Sequence, residues 1–107
     1  MTVQEIVDKV NSGKYPSLWN VMDDLNLNYV GPYTVYKNGT IQTFTENHRW
    51  YSVEGDIYAA EDGLVAIIGV EKLYSEKMSY KDCEFYCKAF EVFRTEVLSY
   101  VYMKKSF

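Results

Sequence analysis

Histidine occurs once in this chain of 107 residues, at position 48, and cysteine and proline occur twice each. These scarcities exclude more chemistry than any motif in the chain suggests. A nucleophilic triad, or a thiol activated by imidazole, has to draw on His48, which stands in a stretch of loop composition where solvation is its ordinary fate. A zinc site needs four ligands, or three and a water. Cys83, Cys87 and His48 fall short of that without a carboxylate, and their C-x3-C spacing is wider than the tight zinc knuckle. The two thiols fit a half-buried place beside Tyr86 and Phe90, free in a reducing compartment and bridged only if their Cα atoms came within about 7 Å. Gly13, Gly31, Gly39, Gly55, Gly63 and Gly69 are dispersed as turn, cap or bulge residues, so no phosphate loop forms. No D-x-D-x-D-G run offers a calcium loop. No cofactor and no metal is expected.

Long apolar runs are missing as well. None approaches the roughly 20 residues that span a bilayer. The opening stretch MTVQEIVDKV is amphipathic and lacks the basic start and apolar block of a secretory signal, so a cytoplasmic location is expected. On that expectation Asn38-Gly39-Thr40 is a turn and not a glycosylation acceptor.

Positive charge is short where it would matter for a duplex. The net charge is −4. Residues 1–70 hold nine acids against four bases, a balance of −5, and residues 71–107 six against seven, a balance of +1. Between Glu46 and Asp62 stand Glu46, Glu54, Asp56, Glu61 and Asp62 with Arg49 alone to oppose them. A nucleic-acid partner is disfavoured by that sign. Lys72, Lys77 and Lys81, interleaved with Tyr74 and Tyr80, would suit stacked single strands, but the acidic remainder opposes it. Lys104-Lys105 reads as a solvated tail.

What the chain has in excess is aromatic. Aromatic residues make up 17% of it and apolar residues 48%, which places it among folded chains of one domain, residues 1–107. Eleven tyrosines exceed what a core of this size hides, so some belong at the surface or at an interface.

Thr2-Val3-Gln4-Glu5 is a capping box, and Val3, Ile6, Val7 and Val10 follow at helical spacing up to a cap at Gly13. Ser17 caps a second helix with Leu18, Val21, Met22 and Leu25 on one face. It frays at Asn26 and Asn28 and stops at Gly31-Pro32. Asn38-Gly39 predicts a type I′ hairpin pairing Tyr36 with Ile41 and Tyr33 with Phe44. Glu46-Asn47-His48 is a loop, Arg49 to Glu54 a strand and Gly55-Asp56 a turn or bulge. Ile57 to Ala60 and Leu64 to Val70 form a second hairpin around Glu61-Asp62-Gly63. The apolar run Leu64 to Ile68 suits a strand covered on both faces. A crossing loop follows, in which Ser79 caps a short helix through Cys87 or Lys88. The end fits both a helical stripe from Cys83 to Val101 and a strand from Val92 to Met103, and residue type favours the strand. The sum is an α+β domain, two short N-terminal helices packed on a mostly antiparallel sheet of five or six strands.

Paired carboxylates such as Asp23-Asp24, Glu54 with Asp56, or Glu61-Asp62 mark no cleft of the kind acid–base catalysis needs. No enzyme is expected. The remaining reading is a small protein-binding module of inhibitor or immunity type, as phages and mobile elements encode, which grips a basic protein partner. Trp50, Tyr51, Glu54, Asp56, Tyr58, Glu61 and Asp62 are its candidate contact residues, the acids steering the encounter and the rings anchoring it. Two alternatives stand beside it. One is a small-ligand binder or small enzyme with a pocket between helices and sheet lined by Trp19, Tyr33 and Tyr36. The other is a homo-oligomer paired through exposed Tyr and Phe at a sheet edge.

Overall fold

The α+β class is realised in a computed structural model that describes residues 1–96 and 100–105. Helix α1, Val3–Val10, begins with the capping box. The Thr2 hydroxyl accepts from the Glu5 amide, and the Glu5 carboxylate accepts from the Thr2 amide. Helix α2, Leu18–Asp24, is capped by Ser17 and buries Leu18 and Val21. It ends at Asp24 and does not fray onward, because the chain turns into a strand the helical spacing had hidden, β1, Asn28–Pro32. Pro32 has no amide to donate, and it closes this edge strand.

Asn38 and Gly39 take φ of 53° and 78°, as a type I′ turn requires. They join β2, Thr34–Lys37, to β3, Thr40–Thr43, with Tyr36 opposite Ile41 as expected. Beyond the hairpin the Phe44 amide donates to the Tyr33 carbonyl at 2.8 Å, and the two rings stack with centroids 5.1 Å apart.

The middle of the chain corrects three expectations. Glu46-Asn47-His48 is not a loop throughout, since Thr45–Asn47 forms a short strand, β4. Trp50 lies just ahead of the next strand, β5, Tyr51–Ala60. Gly55-Asp56 is neither turn nor bulge, because β5 runs straight through it, pairing with β6, Gly63–Leu73, from Tyr51 to Ala60. Gly55 serves packing instead. A Cβ there would meet Ile68 Cγ2 at 2.9 Å and the Tyr33 ring at 3.0 Å. The irregularity sits lower, between Ser52 and Val53, where Glu71 of β6 is the extra residue.

After β6 the short helix expected from Ser79 is only a 3-10 turn, Tyr80–Cys83, and Glu84, at φ 54°, ends it. Among the described residues the stripe from Cys83 to Val101 forms no α-helix. Strand type prevails, though as two antiparallel strands and not one: β7, Lys88–Glu96, and β8, Tyr100–Lys104. Residues 97–99, expected within a single strand, lie outside the described residues. Lys104-Lys105 is more than a tail, since Lys104 lies over the Phe90 ring and Lys105 pairs with Glu91 at 3.5 Å.

Among the described residues the sheet has six strands in the order β1-β5-β6-β7-β8, with β4 also beside β5, and each of these pairings is antiparallel. Its two faces carry two cores. Val3, Ile6, Val10, Leu18, Val21 and Leu25 of the helical layer pack on Tyr58, Val65, Ile67 and Ala89. On the other face Tyr33, Val35 and Phe44 pack on Val53, Ile57, Ala66, Ile68, Val92 and Tyr102. This double cover explains why β6 is apolar from Leu64 to Ile68.

Candidate functional site

The seven residues that the sequence marks do not form one surface. Glu61 and Asp62 are occupied at the β5–β6 turn in holding α1. Asp62 Oδ1 accepts from the Val3 amide at 2.7 Å, and Glu61 meets the Met1 amino group at 3.3 Å. Tyr51 faces the hairpin-side core, stacked on His48 at 4.5 Å with Phe85 beside it. Trp50 is 49% exposed with the Arg49 guanidinium over its ring at 4.8 Å. Tyr58 is only 3% exposed and belongs to the core beneath the helices, so it is no free-standing anchor.

Glu54 and Asp56 are brought together. Strand alternation places them with Tyr58 on the helix-side face of β5, because Val53 and Ile57 point to the opposite core. Both are half-buried. Burial, then the charges of Glu71 and Glu54, raises the Asp56 carboxyl above its ordinary value. Among the described residues no cation offsets this, and no hydrogen bond reaches the carboxylate. The third acid, Glu71, is the bulged residue of β6, and nothing in the sequence marked it. Glu71 is exposed, and the bulge that sets its place beside β5 is a property of the β5–β6 register.

Beside these acids lies an aromatic wall. Tyr29 of β1 pairs with Tyr58 across the strands, and their rings meet edge to face at 5.8 Å. Asp56 lies near enough to raise both phenols, after burial, and Tyr58 is pushed up to about 12. A notch of about 210 Å3 opens here between α2 and the sheet, lined by Met22, Leu25, Asn26, Leu27, Tyr29 and Tyr58. Met22 and Tyr29 are more than half exposed. None of the three residues expected to line a pocket between helices and sheet borders this notch. Trp19 points outward from α2. Tyr33 and Tyr36 lie on the far side of the sheet, where with Val35, Val101, Tyr102 and Met103 they line a cleft of about 530 Å3 between β2 and β8.

The thiols are both free and buried. Burial pushes Cys87 up to about 12 and raises Cys83, so neither is held as a thiolate. His48 is paired to Glu46 at 2.7 Å and stacked on Tyr51. Among the described residues no three His, Cys, Asp or Glu side chains converge as a metal site, and no helix is long and apolar enough to cross a membrane.

No protein-family model, no curated protein and no solved structure matches this chain.

Proposed function

We propose that the chain is a small cytoplasmic protein-binding module, of the inhibitor or immunity type that phages and mobile elements encode, and that it takes a basic protein partner on the helix-side face of β5. The contact surface is Glu54, Asp56 and Glu71 with Tyr29, Met22 and the rim of α2, and Trp50 stands at the end of the same strand. One observation carries this reading. Asp56 is a half-buried carboxylate with two further acids beside it and no cation within the described residues to meet it. Such an arrangement weakens the fold, and a partner that brings positive charge relieves it. Rings beside the acids supply apolar area that costs little entropy to order.

The test is capture of partners from a lysate of the source cells, on wild-type chain and on a Glu54→Gln, Asp56→Asn, Glu71→Gln variant. The expected result is a basic protein retained by the first, lost by the second, and released by salt from the first. Retention of the same proteins by both removes the acidic face as the site.

A second reading rests on the cleft between β2 and β8. Its volume of about 530 Å3 lies within the range of small-molecule sites, and its walls are largely apolar. Perturbation of Tyr33, Tyr36 and Tyr102 by a small-molecule library, with no effect of the acidic-face variant on binding, would favour a ligand-binding protein.

A further inference from the structure

The cleft between β2 and β8 has a buried floor and an open rim. Tyr33, Val101 and Tyr102 are buried, whereas Tyr36 and Met103 are each more than half exposed. The floor is set in advance. The Tyr33 ring stacks on Phe44 at 5.1 Å and meets the Phe90 ring edge to face at 5.9 Å. A wall held in this way loses little freedom when it takes a ligand. The Tyr33 and Tyr102 hydroxyls make no hydrogen bond to the described residues, and no side-chain oxygen among those residues is both buried and unpaired. Both hydroxyls therefore reach solvent, and the cleft is the opening that these two residues line.

The groups around the cleft select its ligand. Among the described residues that line it, Lys104 is the one charged side chain, and no acid joins it. The Lys104 ammonium lies over the Phe90 ring at 5.4 Å and pairs with no carboxylate among the described residues. The Arg94 guanidinium lies over the Tyr102 ring at 5.7 Å, so a second cation stands beside the same wall. A cationic ligand is repelled there. The other polar ends are hydroxyls, on Tyr33, Tyr36, Thr95 and Tyr102, and each can donate to an anion. Burial raises the Tyr33 phenol, which keeps its proton at neutral pH. A carboxylate matches this set, since it accepts from ammonium and hydroxyl alike. The rest of the wall selects the body of the ligand. An exposed tyrosine ring packs well on a second ring, and a thioether sulfur gains from contact with a ring edge. Tyr36 and Met103 supply one of each.

We propose that the cleft between β2 and β8 binds a small aromatic carboxylate: its ring system lies against Tyr36 and Met103 above the floor of Tyr33 and Tyr102, and its carboxylate accepts from Lys104 and from a tyrosine hydroxyl. This rests on the ligand-binding reading of the cleft given above and names the class of ligand. A volume of about 530 Å3 admits a bicyclic ring with a short acid arm.

The test uses the whole chain and four probes: naphthylacetate, naphthaleneethanol, naphthaleneethylamine and decanoate. The first three share a body and differ in charge, and the last keeps the charge without the ring. The readout is the ring resonances of Tyr33, Tyr36 and Tyr102. Naphthylacetate is expected to shift all three saturably. The alcohol is expected to bind about threefold more weakly, the worth of one ion pair open to water, and the amine and decanoate more weakly than the acid. Lys104→Gln is expected to remove the difference between acid and alcohol. Alcohol or amine bound as tightly as the acid overturns the choice of a carboxylate, and decanoate bound more tightly overturns the aromatic body. Both results are read on the wild-type chain, whatever the variant does to folding. Silence of the three rings toward every probe, with other small molecules still bound in the cleft, overturns the proposal and leaves the ligand-binding reading standing. Silence toward a whole small-molecule library removes both.

Discussion

At the scale of single residues, Asp56 is the side chain whose physics is least suited to stability. Burial, Glu71 and Glu54 raise its folded-state carboxyl above the ordinary value of 3.8. An acid whose folded pKa is raised binds its proton more tightly in the folded state. Its ionisation therefore removes stability as pH climbs from the ordinary aspartate range through the raised one. Asp56→Asn is expected to raise the melting temperature at pH 7 and to leave a flatter dependence of stability on pH above 4. Urea titrations of the two chains across that range check it, and an unchanged or lowered stability at pH 7 contradicts it. Asp24 behaves with the opposite sign. The Tyr15 hydroxyl and Lys14 lower its carboxyl, so what it contributes is present above the ordinary range and lost as pH falls through the lowered one. The thiols permit a separate check. With Cys87 pushed up to about 12 and Cys83 also raised, neither should react appreciably with iodoacetamide at pH 8 until the chain is unfolded. Rapid labelling of the folded protein would show the thiols to be accessible.

At the scale of elements, the β5–β6 hairpin holds both layers in place. Its turn binds α1 through Asp62, which satisfies the Val3 amide that a helix start leaves without a partner. Asp62→Ala is expected to cost about 0.5–2 kcal/mol, as loss of a helix cap does. Its waist binds α2 through Gly69, where a Cβ would stand 2.6 Å from Cys87 Sγ and 3.2 Å from Leu18. Gly69→Ala is expected to cost about 1–3 kcal/mol by overpacking, and Cys87→Ala in the same chain to return part of it. Denaturant unfolding of the single and double variants measures both, and a Gly69→Ala chain as stable as wild type contradicts the close approach. The sequence made the helices, the Asn38-Gly39 turn and the covered strand at Leu64–Ile68 readable, because each rests on local chemistry: caps, positive φ and residue type. It did not reveal β1 or β4, whose residues are mostly exposed and carry no apolar alternation. Gly55 misled for a physical reason. A glycine needed for the close approach of a ring looks, in sequence, like one needed for a turn.

At the scale of the molecule, charge alone was a poor guide to the surface. Of five acids crowded between Glu46 and Asp62, Glu61 and Asp62 are bound to the start of α1 and Glu46 pairs with His48. Only Glu54 and Asp56 join a common face, and their third member, Glu71, comes from the partner strand. Tertiary pairing, invisible along the chain, decides which carboxylates meet. The far edge of the sheet carries a different feature, Phe93 and Met103 opposed across β7 and β8 and about half exposed. With a basic protein as the partner, the chain alone is expected to be a monomer by light scattering at high concentration, and a dimer would move attention to that edge. Hydrogen exchange of the chain, free and bound to its captured partner, tests the acidic face most directly. Exchange is expected to slow in β1, at the end of α2 and around the Glu71 bulge, with β8 unchanged. Slowing confined to β8 and the β2–β3 hairpin, with β1 and α2 untouched, would place the partner on the opposite side and contradict the acidic face as its site.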